Sequence, residues 1–261
     1  MIDLHYWTTP NGHKITAESL MRNRFSYLFT IARHHMIDIY TDATPNGLKI
    51  SLALEELGLS YNVHRVFLGG EQKTPEFTKL NPNQKIPVLV DNGFVLSESG
   101  AILIYLADKT GKLLSKDPKT RAKTIEMLMY QMASVGPMFG QLLVFRGPFQ
   151  NKYPEVTDRY FKEVSRIFGV LDKRLDAQEY FAGNDFSIAD VAMIPWIRIP
   201  TLLPFMADVP LAANPNLKAW LDRVLARPAV QKGLGIPEPF PHEQQWAGFI
   251  KATVGLGDLH A

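Results

Sequence analysis

Read for the spacing of apolar positions, the chain gives its first clear signal at Met36. Ile37 to Tyr40 alternates as a short strand and a Thr-Pro-Asn-Gly turn follows at 44–47. Leu48, Leu52 and the Leu54/Leu57 pair then recur at helical spacing up to Gly58, which stands at the left-handed stop position. Tyr61 to Phe67 reads as a second strand. Strand, helix and strand within ~30 residues predict a βαβ unit, because parallel strands need such a crossover. After Gly69 and Gly70 the pattern predicts a short helix near Pro75 to Leu80 and two short strands, Ile86 to Val90 and Phe94 to Leu96. Asp91-Asn92-Gly93 between them is a hairpin signal. Ser99 stands where it caps a helix running to about Lys109, with Ile102, Leu103 and Leu106 inward.

The polar, Pro- and Gly-containing segment 110–120 reads as a linker, and no strand signal returns beyond it. Helical spacing occupies roughly 121–146, 155–177, 187–206 and 215–226. One start is marked by a capping box, Ser187 with Asp190, and by a staple of Phe186 with Val191. The expected architecture is α/β followed by all-α: a thioredoxin-like domain over 36–112 and an all-helical domain over 119–234. A Pro-rich tail over 235–261 has Trp246, Phe249 and Ile250 available to pack back. Residues 1–35 read as an extension. Met-Ile-Asp at 1–3 and 36–38, Thr-Pro-Asn-Gly at 9–12 and 44–47, Lys14 and Lys49, and Ile15 and Ile50 coincide, which is a local duplication rather than a solenoid. Only the second copy runs into an amphipathic helix, so Thr44 and Asn46, not Thr9 and Asn11, are taken as functional.

Composition narrows the chemistry. The chain has no cysteine, which excludes disulfides, thiolate metal sites and a protein thiol nucleophile. Twenty-eight Lys and Arg stand against 26 Asp and Glu, a formal net charge of +2 with no basic cluster, so nucleic acid is not expected as a partner. The apolar stretch from Val191 to Ala213 is broken by Arg198, Asp208 and prolines and is not a membrane span, and a cytoplasmic location is expected. Met21 to His35 carries three Arg and no acid, faintly like a targeting segment, although a plain surface extension is the preferred reading.

Four pieces of the first half carry candidate chemistry. Thr44-Pro45-Asn46-Gly47 opens a helix, so unpaired N–H groups and the positive dipole end face whatever sits there, a setting that favours a thiolate. That thiol must be a ligand's. Ile86-Pro87 at the mouth of a strand invites a cis bond that turns backbone toward an extended peptide. Glu98-Ser99 before a helix offers a carboxylate, a hydroxyl and free N–H groups for both charges of an α-amino acid end. Gln72, on the Gly-rich loop, is a polar contact for a peptide ligand. Each alone also has a plain structural reading: a turn, a trans proline, an N-cap, a loop residue.

Together they resemble the glutathione transferase superfamily over Met36 to about Gln231. Within it, MIDIYTDATPNGLKISLALEE, NPNQKIPVLVD, LSESGAILIYLADKTG and VGPMFGQ (135–141) are similar to the nu class, bacterial enzymes with disulfide-bond oxidoreductase activity related to the fungal nitrogen-regulator/prion branch. The resemblance implies that Thr44 and Asn46 face the glutathione sulfur. It further implies that Gln72, Lys85, Ile86, Pro87, Glu98, Ser99 and Arg159 bind glutathione, Ile86 through its backbone. It also implies a homodimer, glutathione as co-substrate without a metal, and a small electrophile, disulfide or hydroperoxide as second substrate, in a pocket lined by residues such as Met138, Phe139 and Phe145. The alternative is a non-catalytic glutathione-binding regulator or interaction module, since fold does not fix function. Tyr40 is not expected to act as the tyrosine of other classes.

Overall fold

The computed structural model describes residues 36–147, 149 and 152–238. Strand β1 (Ile37–Thr41) leads through a tight turn into helix α1 (Pro45–Leu57), and Gly58, at φ 68°, ends that helix in the left-handed conformation a glycine adopts without strain. Strand β2 (Tyr61–Arg65) pairs parallel with β1, and a 3-10 turn (Glu71–Lys73) and helix α2 (Pro75–Leu80) follow. Strands β3 (Val88–Asp91) and β4 (Phe94–Ser97) form an antiparallel hairpin whose loop residues Asn92 and Gly93 both have positive φ. The sheet order is β2-β1-β3-β4, and helix α3 (Ser99–Thr110) closes the half. Buried Asp91 accepts from Tyr105 at 2.7 Å and pairs with Lys109, tying the hairpin to α3.

The second half is helical: α4 (Pro118–Tyr130), α5 (Gly136–Arg146), α6 (Pro154–Arg174), α7 (Ile188–Ile197), the single turn α8 (Ile199–Leu202), α9 (Pro215–Leu225) and α10 (Pro228–Leu234). Between α4 and α5 the run expected as one helix passes through a π turn, Gln131–Val135, a feature frequent at functional sites. Helix α10 has no counterpart in the spacing analysis. Seven residues give too few periods to read.

The capping box forms at the head of α7. Asp190 Oδ2 accepts from Ser187 N at 3.0 Å and from Ser187 Oγ at 2.8 Å, while Oδ1 takes Phe181 N at 3.1 Å and Trp220 Nε1 at 3.0 Å. All ten residues of α7 are buried, and this helix is the centre of the core. The apolar core runs without a break from Ile39 and Leu89 of the sheet, through Leu52 and Leu54 of α1, into Phe139, Phe168 and Trp220 of the helical half. Gly233 of α10 sits so close to α1 that a Cβ there would lie 2.8 Å from the Leu52 Cα, and Ser51 Oγ donates to the Gly233 carbonyl at 2.8 Å. The extension 1–35 and the tail residues Trp246, Phe249 and Ile250 lie outside the described residues.

Candidate active site

The turn between β1 and α1 is built by its own side chains. Asp42, buried and paired with Arg65 at 2.9 Å, accepts from Ala43 N at 2.8 Å, and its carbonyl takes Thr44 N at 2.7 Å. Thr44 is the N-cap of α1: its Oγ1 accepts from Gly47 N at 3.1 Å, which leaves its own hydroxyl proton free to donate. Gly47 is obligatory here, because a Cβ would run into Asp42 O and Thr41 Oγ1.

Asn46 is exposed at the same helix end, and its Oδ1 accepts from the indole N–H of Trp196 at 3.3 Å. Indole nitrogen only donates, so the amide oxygen must face it and the NH2 group is left pointing the other way. Trp196 is itself seated by the glycines of VGPMFGQ: Cβ positions on Gly136 and Gly140 would stand 3.6 and 3.8 Å from its ring.

A cavity of about 170 Å³ opens beside Asn46, lined also by Asn81, Asn83, Lys85, Ile86, Pro87, Glu98 and Ser99. Six expected site residues thus meet in one place, from three separate segments. The Ile86-Pro87 bond is cis. Buried Asn81 shapes that wall, donating to the Lys85 carbonyl at 2.7 Å and accepting from Asn83 N at 3.0 Å. Lys85 and Glu98 are both exposed, so the cavity carries a cation and a carboxylate. Glu98 is held at φ 68°, a strained conformation for a residue with a Cβ and one that clusters at functional sites.

Two expectations change. Ser99 is the first residue of α3 rather than its cap; Glu98 occupies the cap position and no side chain caps the helix. Phe139 is fully buried core, packed 5.4 Å from the Phe168 ring, and lines no pocket. Phe186, the expected staple residue of α7, packs against the core that includes Val191 and lies edge-on to Tyr180, with the Arg227 guanidinium 4.1 Å above its ring. Three expected residues stand outside the cavity lining: Thr44, at the head of α1, Gln72 and Arg159. Gln72 is buried and closes its own loop, accepting from Gly70 N at 3.1 Å and donating to Leu68 O at 3.0 Å. Arg159 is exposed on α6, close to an aromatic cluster in which Phe145 stacks on Phe149 and Tyr160 at 5.2 and 5.7 Å. Tyr40 stacks on His64 at 4.6 Å.

Two family models match this chain: "Glutathione S-transferase, N-terminal domain" over residues 38–108 and "Glutathione S-transferase, C-terminal domain" over 126–228. The chain belongs to the glutathione S-transferase family. It is 42% identical over 207 residues to the disulfide-bond oxidoreductase YfcG of Escherichia coli, covering 76% of this chain and 94% of that one. A glutathione transferase from Pseudomonas putida, solved with one glutathione disulfide per subunit, superposes with TM-score 0.74 at 41% identity, covering 79% and 94% of the two chains. One from Burkholderia graminis, solved with two glutathione molecules per subunit, gives TM-score 0.74 at 43% identity over 80% and 91%.

Against this family frame one buried residue stands out that spacing analysis passed over. Lys49 of α1 is 1% exposed, and its Nζ donates to Gln131 Oε1 at 2.6 Å and to Ser99 Oγ at 3.3 Å. Burial pulls its ammonium down to about 7, against a smaller upward pull from the Glu98 charge. The available signal was a single cation in the otherwise uncharged run 43–54. Among the described residues no group of His, Cys, Asp and Glu is arranged to hold a metal ion, and no helix is long and apolar enough to cross a membrane.

Proposed function

We propose that this glutathione S-transferase binds glutathione as its thiolate and uses it to reduce disulfides, with addition to electrophiles and reduction of hydroperoxides open to the same thiolate. The observation that carries the reading is the Trp196–Asn46 contact, which leaves the Asn46 NH2 as a fixed donor at the N-terminus of α1 beside the cavity. With no cysteine in the chain, the sulfur that reacts is the substrate's own. Preorganised donors and a helix N-terminus lower a thiol's pKa by favouring its charged form.

In this reading Thr44 and Asn46 donate to the glutathione sulfur. Glu98 takes the ammonium of the γ-glutamyl end, and Ser99 with the first N–H groups of α3 takes its carboxylate. The Ile86 backbone, shaped by Pro87, pairs with the cysteinyl residue, and Lys85 meets the far carboxylate. Gln72 and Arg159 are proposed to complete the binding from outside the cavity lining, Gln72 by holding the Gly70 loop. The thiolate attacks one sulfur of a disulfide, the S–S bond breaks, and the departing thiolate takes a proton. A second glutathione attacks the mixed disulfide, releasing the second thiol and forming glutathione disulfide. The name of the E. coli relative and the glutathione disulfide bound in the P. putida structure support the disulfide reading.

The protein is further proposed to be a homodimer through its first half. Phe94 and Val95 of β4 and Met129 of α4 are exposed large apolar residues that such an interface would cover. Light scattering at micromolar concentration tests this, and a monomer rejects it. The activity is tested by glutathione-dependent turnover of 2-hydroxyethyl disulfide, cumene hydroperoxide and an aryl halide side by side. Turnover of the disulfide is expected. Binding of glutathione with no turnover of any of the three identifies a binding module instead.

A further inference from the structure

A buried ammonium is costly unless it is paired, and Lys49 makes no ion pair with a carboxylate among the described residues. Its three contacts are neutral: Ser99 Oγ at 3.3 Å, Gln131 Oε1 at 2.6 Å and Met132 Sδ at 3.7 Å. The elements around it supply one charge. Glu98, ahead of α3, acts on it through space; the π turn offers Gln131 and Met132; and α7 offers Trp196, bound to Asn46. Helix α10 meets α1 at Ser51 and Leu52, and its Lys232 and the neighbouring Arg227 are taken up by Glu55 and Glu56. Ser99 and Glu98 in turn line the cavity. The junction is tight, since a Cβ on Gly100 would lie 3.1 Å from Met132 Cε. Lys49 therefore stands directly behind the cavity wall, with a hydroxyl between its charge and the cavity.

We propose that Lys49 is a positioning residue for the acidic end of the bound peptide: its ammonium donates to Ser99 Oγ, the Ser99 hydroxyl proton, which reaches Met132 Sδ at 3.8 Å in the free protein, turns into the cavity when the peptide binds, and the unpaired charge of Lys49 is balanced by the ligand's α-carboxylate. This rests on the reading that the cavity takes the γ-glutamyl end of glutathione. An ordinary serine N-cap needs no cation behind it, whereas a serine that must donate to a carboxylate gains from having its lone pair occupied.

The arrangement has a sign that can be read. A carboxylate bound in front of Lys49 favours its charged form, so binding raises the ammonium from its value of about 7 in the free protein. Binding near neutral pH then takes up a proton, and affinity falls as pH rises through that value. A purely structural lysine does neither.

The test is calorimetry of the full chain with S-methylglutathione, whose thioether has no thiol proton to confuse the count. Measurements run from about pH 6 to about pH 8.5 in two buffers of different ionisation enthalpy. The affinity of the wild type is expected to fall about 10-fold across that range with net proton uptake near neutrality, as for one coupled titration shifted by about one unit. Lys49→Met should bind about 10-fold more weakly at the acid end, with no uptake and no pH dependence, while its turnover at saturating glutathione stays within about 2-fold. If Lys49→Met does not fold, the proton uptake of the wild type decides. S-methylglutathione binding that is independent of pH without uptake, or a Lys49→Met variant that keeps the pH dependence, overturns the role of Lys49 and leaves the site reading intact. Absence of S-methylglutathione binding at every pH overturns the site reading and the role of Lys49 with it.

Discussion

The indole N–H of Trp196 meets the side-chain oxygen of Asn46 at 3.3 Å, joining positions 150 residues apart. The contact couples the helical half to the turn that opens α1 and fixes which end of the Asn46 amide faces outward. Asn46→Ala should lower turnover about 10-fold, the scale of losing one preorganised donor, with glutathione affinity little changed. Trp196→Phe keeps the ring in its Gly136 and Gly140 seat but frees the amide, and a smaller loss of about 3-fold in the same parameter is expected. The absorbance of bound thiolate against pH checks both. An apparent thiol pKa that does not rise in either variant removes Asn46 from the activating role.

Thr44 caps α1 and is proposed to donate to the glutathione sulfur, and substitution separates the two. Thr44→Ala should cost about 1 kcal/mol of stability by loss of the cap on Gly47 N and about 10-fold in turnover by loss of the donor. Thr44→Ser keeps both functions. Urea unfolding and steady-state kinetics on the two variants measure this. A Thr44→Ala protein that is destabilised yet fully active would make the residue a cap alone.

The burial of Lys49 sets a pH dependence of stability. Its value falls from 10.5 to about 7 on folding, so between these limits the unfolded chain holds a proton that the folded protein does not. Stability therefore rises with pH across that window, and the penalty for burying the charge is fully present below it. The difference in urea midpoint between wild type and Lys49→Met should shift in favour of the wild type from about pH 6.5 to about pH 9.5. A constant difference contradicts the lowered value.

Asp190 accepts four hydrogen bonds in a site sealed from solvent. Asp190→Ala leaves the Phe181 and Ser187 amides, the Ser187 hydroxyl and the Trp220 indole without partners, and should cost about 3–5 kcal/mol or prevent folding. Asp190→Asn keeps the shape and part of the acceptor capacity and should cost less. Denaturant titration distinguishes the two, and equal losses would show that the acceptor oxygen Asn lacks, rather than the shape of the side chain, holds the loop.

Removal of residues 1–35 should leave a folded enzyme with near-wild-type turnover. The family match begins at residue 38, and β1, α1 and their partners all lie beyond the cut. Circular dichroism and the disulfide assay on the truncated protein test it. An inactive or insoluble product moves the domain boundary into the extension.

What the sequence alone determined is what neighbouring residues decide among themselves. Leu48, Leu52, Leu54 and Leu57 define α1 because helical spacing puts them on one face, and Gly58 ends it because a glycine enters the left-handed region freely. Asn92-Gly93 makes the β3–β4 turn and Ser187 with Asp190 starts α7 for equally local reasons. The resemblance named six of the residues that line the cavity, but a motif does not carry distances. Only the tertiary structure decided that Gln72 closes its own loop, that Phe139 is core, and that Ser99 turns its oxygen to a lysine 50 positions earlier. The burial of Lys49 was illegible because a charged side chain on a helix ordinarily reads as solvated, and burial is a property of what packs against the helix. The π turn at Gln131 was invisible for the same kind of reason: one shifted hydrogen-bonding turn leaves the apolar period almost unchanged, yet it brings Gln131 against Lys49. Local pattern fixes elements. Contacts between segments far apart in the chain fix the site, because the free energies that choose them are those of packing, desolvation and pairing across the whole fold.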